Sequence, residues 1–191
     1  MTSTPDPSEP AVTVDGFHVL DVCHRQTLFT LNRLTDLVST LTNGGADAQA
    51  RAVAAEIVQF FSSTARQHHE DEERHVFPKL VLSKDPKIVQ AVLRLSQDHN
   101  WLEEDWMEIS PQLDAVACGL SWYDADILRE GVEVFAALSR DHIALEESLI
   151  YPQARVHLGV GERREMGREM AARRRAQRGG SGASPAPDKR G

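Results

Sequence analysis

Cysteine is scarce in this chain: only Cys23 and Cys118 stand among 191 residues. Two are too few for a disulfide framework, and buried thiols are expected. Long apolar runs are missing as well. None approaches the roughly 18 to 20 residues that a membrane-crossing helix needs, so no membrane partner is expected. Basic residues are outnumbered, 21 against 29, and the net charge of -8 argues against nucleic acid as a partner. The opening residues Met1 to Pro10 are polar, hold three prolines and lack the basic-then-apolar layout of a secretion signal. The expectation is a cytoplasmic protein. No segment sustains the period-two alternation of a strand between turn signals.

Helical periodicity is what the chain does have. Apolar positions step along one face at Phe17, Leu20, Leu28, Leu31, Leu34, Val38 and Leu41, and again at Val53, Ile57 and Phe61. A third stripe runs Val89, Val92, Leu95, Leu102, Trp106, Ile109 and Leu113, and a fourth Ile127, Val134, Phe135, Leu138, Leu145 and Leu149. Breaks fall at Asn43-Gly44-Gly45, at Ser83 to Pro86 and at Cys118-Gly119, with Asp47 and Ser121 as expected N-caps. The pattern predicts an all-α protein, an antiparallel up-and-down four-helix bundle over residues 16–158. Residues 1–15 and 179–191 are expected to be disordered. Residues 159–178 read as a basic, Arg-rich helix. From Glu162 onward nine basic residues face four acids, so this end carries +5 and the rest -13. It is expected to be a solvated, loosely attracted tail.

Two stretches carry the chemistry. His68 to Pro78 and His142 to Pro152 both read His-x3-Glu-Glu-x3-aromatic-Pro. Residues four apart share a helix face, so His68 with Glu72, and His142 with Glu146, each form an imidazole–carboxylate pair. His99 and Glu103 form a third. Antiparallel neighbours place residues equidistant from a turn at one height. The midpoints between His24 and His68, His68 and His99, and His99 and His142 are 46, 83.5 and 120.5, on or beside the three breaks.

A lone histidine on an apolar helix face is ordinarily a core residue. Here the shared layer and the repeated pair point to a metal site of His24, His68, Glu72, His99, Glu103, His142 and Glu146. Buried carboxylates without a partner cost several kcal/mol each, and a cation offsets that cost. Seven donors exceed what one tetrahedral zinc uses and suit two six-coordinate ions bridged by carboxylates and an oxo or hydroxo group. Mixed nitrogen and oxygen ligands favour iron, with manganese as second choice. His69, Glu70, Asp71, Glu73, Glu104 and Glu147 are read as surface or supporting groups, with Glu147 a reserve ligand. His75 is read as packing beside the site, and His18 and His157 as lying away from it.

These residues resemble the hemerythrin-like family, the HHE cation-binding domain, over about residues 17–157. The marks are His24, His68-x3-Glu72 with Phe77-Pro78, His99, and His142-x3-Glu146 with Tyr151-Pro152. The resemblance implies an up-down bundle holding a non-haem di-iron centre, in a family that carries oxygen, senses oxygen or iron, or handles peroxide and nitric oxide. The oxygen carriers have a second histidine four residues after the helix-three histidine, where this chain has Glu103. They have an aspartate five after the last histidine, where this chain offers Glu146 at four and Glu147 at five. Added anionic oxygen ligands stabilise ferric iron and favour committed oxygen or peroxide chemistry.

The expected function is therefore oxidoreductase-type chemistry on O2, peroxide or nitric oxide, with an unspecified electron donor. Leu28, Leu102, Leu145 and Trp106 are expected to wall the site from water. The alternatives are an oxygen or iron sensor or storage module without turnover, and a metal-free helical adaptor.

Overall fold

The computed structural model describes residues 15–180. The tails expected to be disordered lie, apart from their innermost residues, outside the described residues. Helix α1 spans Gly16–Gly44; Asp15 caps it by accepting from the Phe17 amide at 2.9 Å. It ends at Gly45, whose φ of 79° is a left-handed value that glycine takes without strain. Helix α2 covers 48–80 in pieces: Ala48–Gln59, a wide π turn at Phe60–Ala65, Arg66–His75, and a last turn at Phe77–Leu80 beyond a break at Val76. Asp47 caps it as expected, accepting from the Ala50 amide at 2.7 Å. Helix α3 is Pro86–Ala117, with proline in its first turn. Helix α4 covers 125–157: Ala125–Leu145, a second π turn at Glu146–Ile150, and Tyr151–His157. Its cap is Asp124, not Ser121, because the Asp124 carboxylate accepts from the amides of Asp126 and Ile127 at 3.0 and 3.1 Å. It also runs past Pro152, which sits in the first turn of the last piece, where a missing N–H costs little.

Helix α1 packs on α2 and α4, and α3 packs on the same two, so the four close into a ring. Two apolar clusters fill its ends. One is built on Leu31, Leu34, Ile57, Phe61, Trp106, Leu113 and Phe135. The other is built on Phe17, Leu20, Phe77, Leu80, Leu95, Ile150 and Tyr151. Between them lies a layer of buried histidines and acids.

The basic segment does not dangle. Helix α5, Val160–Gly180, lies along α1 and sinks Met166 and Met170 into the second cluster. A Cβ on Gly16 would strike the Met166 side chain, so this close approach requires glycine there. Arg173 and Arg174 both bind the buried carboxylate of Asp71, the latter at 2.8 Å. Arg74 pairs with Glu169 at 3.0 Å and Lys79 with Glu162 at 2.9 Å. The charge attraction expected from composition is thus made specific by a strip of methionine. No helix among the described residues is long and apolar enough to cross a membrane.

Candidate metal centre

Six of the seven residues expected in the layer meet there. The donor atoms of His24, His68, Glu72 and Glu146 lie within 4.8 Å of one another, and so do those of Glu72, His99, His142 and Glu146. The two groups share both carboxylates. Glu72 turns Oε1 to His68 Nε2 (3.3 Å) and Oε2 to His99 Nε2 (3.5 Å). Glu146 turns Oε2 to His24 Nε2 (3.1 Å) and Oε1 to His142 Nε2 (3.2 Å). Each carboxylate therefore offers one oxygen to each group, the arrangement that bridges two cations. All six residues are buried.

The seventh residue, Glu103, stands outside both groups. Arg66 holds its carboxylate, with Nε to Oε2 at 2.9 Å, on the partly exposed side of the layer. A guanidinium one helix away satisfies it more fully than a shared site already supplied with two carboxylates.

His69 comes in where Glu103 does not. Read as a surface or supporting group, it joins His99 and His142 as a third imidazole and stacks on His99 at 4.1 Å between ring centres. Adjacent helix residues point about 100° apart. The inward direction falls between them, so His68 faces His24 on α1 (4.7 Å between rings) and His69 faces α3.

The second glutamate of each repeat has a separate task. Glu147 binds His24 Nδ1 at 3.0 Å, and Glu73 binds His99 Nδ1 at 2.9 Å. A carboxylate can only accept, so each Nδ1 carries the proton and each Nε2 turns a lone pair inward. Glu147 is thus an orienting group, with Glu146 in the layer. Asp98, which the sequence reading did not single out, is buried with Oδ2 3.6 Å from His142 Nδ1. Its signal was an Asp-His pair that recurs at Asp98-His99 and Asp141-His142. The aromatic residue of each repeat stacks on the imidazole across the bundle: Phe77 on His99 at 5.4 Å, and Tyr151 on His24 at 5.0 Å. His75 lies between Glu169 (3.5 Å) and Arg173 (3.4 Å) of α5.

The electrostatics ask for positive charge. Burial, reinforced by Glu146, raises Glu72 well above the usual carboxylate range. Glu146 goes the other way: burial opposes its charge, yet His142 and His24 hold it ionised. Burial opposes the charge on His142 too, but Glu146 and Asp98 raise it to about 10. Burial, with the neighbouring imidazoles, pushes His68 and His69 well below the ordinary value. Burial and both carboxylates push the Tyr151 phenol up. Among the described residues, both nitrogens of His68, Glu72 Oε2 and both oxygens of Glu146 are buried with no hydrogen-bond partner. His68 Nε2, Glu72 Oε2 and both Glu146 oxygens, four orphaned atoms of metal-ligand type in one place, fit a pair of cations.

On one side the layer borders a cavity of about 40 Å³, lined by His24, His68, His69 and His142 and walled by Phe61, Leu102, Trp106 and Phe135. Arg66 and Glu103 stand at its edge. Leu102 and Trp106 wall the site as expected; Leu28 and Leu145 pack against the two apolar clusters instead.

Comparison with known proteins gives two findings. A family model described as the hemerythrin HHE cation binding domain matches residues 15–154. A protein of Haemophilus influenzae described as uncharacterized is 30% identical over 172 residues, which is 90% of this chain and 97% of that protein.

Proposed function

The chain belongs to the hemerythrin HHE cation-binding domain family, and we propose that it holds two iron ions, with manganese as second choice, and reacts with O2, peroxide or nitric oxide. One observation carries the reading: two imidazole groups share two buried carboxylates, each of which aims one oxygen at either group. His24 and His68 would hold one ion, His99, His142 and His69 the other, with Glu72 and Glu146 between them. Iron there would supply Lewis acidity and one-electron redox steps.

The protein's own residues set the terms. Glu147 and Glu73 fix His24 and His99 from behind, so those two Nε2 atoms need not reorganise to bind. Phe61, Leu102, Trp106 and Phe135 keep bulk water from the open side. A cavity of about 40 Å³ has room for a few waters, which suits a small diatomic species or peroxide. The test is peroxide consumption by the iron-loaded protein: rapid in the native chain and lost in His68→Ala. Equal rates in both would contradict the proposal.

A second reading, binding without turnover as in a sensor or store, is favoured by α5. Its Arg173 and Arg174 grip Asp71, the neighbour of Glu72, which would connect site and terminus. Removal of residues beyond Gly159 that spares turnover but abolishes binding of a partner would favour it.

A further inference from the structure

We propose that Tyr151 is itself a metal ligand, the one that completes the ion position of His24 and His68; this rests on the two-ion reading above. The internal repeat isolates the hydroxyl as the unusual feature. Phe77 and Tyr151 occupy the same place in the two stretches and stack on the corresponding imidazoles, His99 and His24. Phenylalanine performs that stacking at position 77, so the packing does not need an oxygen at 151. A buried hydroxyl needs polar partners. Tyr151 is fully buried, and it finds them in the layer itself: its hydroxyl donates to Glu72 Oε1 and lies 3.1 Å from His24 Nε2.

The spacing is that of donors around one ion. Metal bonds of roughly 2.0–2.2 Å at right angles put neighbouring donor atoms about 3 Å apart. The spacings His24 Nε2 to Glu146 Oε2 (3.1 Å), His68 Nε2 to Glu72 Oε1 (3.3 Å) and His24 Nε2 to Tyr151 Oη (3.1 Å) form one such set. The other position shows the same edges, with His99 Nε2 to His142 Nε2 at 3.2 Å and His142 Nε2 to Glu146 Oε1 at 3.2 Å. There His69 groups with His99 and His142 and would be the additional donor, while its counterpart in the repeat is the apolar Ile143. Tyr151 does for the first position what His69 does for the second. Each ion then has three unshared donors and two shared carboxylates. Ligation displaces the phenolic proton to solvent, since a bound cation inverts the local electrostatics that otherwise keep the phenol protonated.

Resonance Raman and visible absorption of the ferric-loaded full chain test this, with iron counted in the same sample. The expected result is a phenolate-to-iron band with enhanced tyrosine ring modes. It persists in Tyr123→Phe and vanishes in Tyr151→Phe, which still holds two irons. Zinc loading should also release one proton fewer from Tyr151→Phe than from the native chain. Two irons without phenolate modes, or modes unchanged in Tyr151→Phe, would overturn the proposal and leave the two-ion reading standing. No bound iron in the native chain would overturn that reading and this proposal with it. The native spectrum and the Tyr123→Phe control decide the matter even if Tyr151→Phe does not fold.

Discussion

Glu73 and Glu147 are exposed acids, yet each holds the back of a buried imidazole. Changing either to Gln keeps the shape and removes the charge that raises the imidazole's basicity. Metal affinity should fall about 10- to 100-fold, as for other groups that support metal ligands from behind, read by competition with a chelator. An unchanged affinity would make these contacts ordinary surface pairs. His142 supplies a second residue-level prediction. Without a cation it keeps its proton to about pH 10, because Glu146 and Asp98 outweigh the burial that opposes the charge. An unfolded histidine titrates near 6.5. The folded state then binds more protons across the interval from about 6.5 to 10. Stability from this group is complete below the lower value and lost as pH rises through the upper one. Denaturant midpoints of the chelator-stripped protein should fall across that interval, and an invariant midpoint would contradict the assignment.

Among the elements, α1 to α4 were legible because each carries a long apolar stripe and ends at glycine or proline. Turn midpoints then put the four histidines in register, and the six residues that meet follow from that arithmetic. What escaped is physical in origin. The π turns at Phe60–Ala65 and Glu146–Ile150 leave no mark in composition; one precedes the first repeat and the other lies inside the second. The repeat pairs His142 with His68 and leaves His69 as a supporting group, whereas the inward direction passes between the two. Glu103 obeyed the i+4 rule but lay within reach of Arg66, an interaction between α2 and α3 that spacing along α3 cannot report. Because Glu103 is tied to Arg66 at the cavity edge, Glu103→Ala should leave metal content unchanged. Stability should shift by at most about 1 kcal/mol, the scale of a partly exposed ion pair. Entry of azide into the metal-loaded protein, followed by stopped flow, should quicken. Loss of an ion from this variant would restore Glu103 as a ligand.

At the scale of the whole molecule, the chain divides its charge and then rejoins it. The basic end, expected to be solvated, forms α5 and lies on the acidic bundle through Arg173, Arg174, Met166 and Met170. Asp71 is buried between the two arginines, so losing both leaves an unpaired carboxylate inside. The pair Arg173→Ala and Arg174→Ala should cost roughly 3 kcal/mol in denaturant unfolding, and either change alone clearly less. Additive, equal losses would show that the two arginines act separately. The fold and the site bear on each other at this scale: two apolar clusters hold the helices, and cations would offset the cost of the carboxylates buried between them. Metal content of the chain purified after iron-replete growth tests that dependence most directly. The account predicts two irons per chain, with a marked loss in His24→Ala and in His142→Ala; a native chain that folds with no bound transition metal would contradict it.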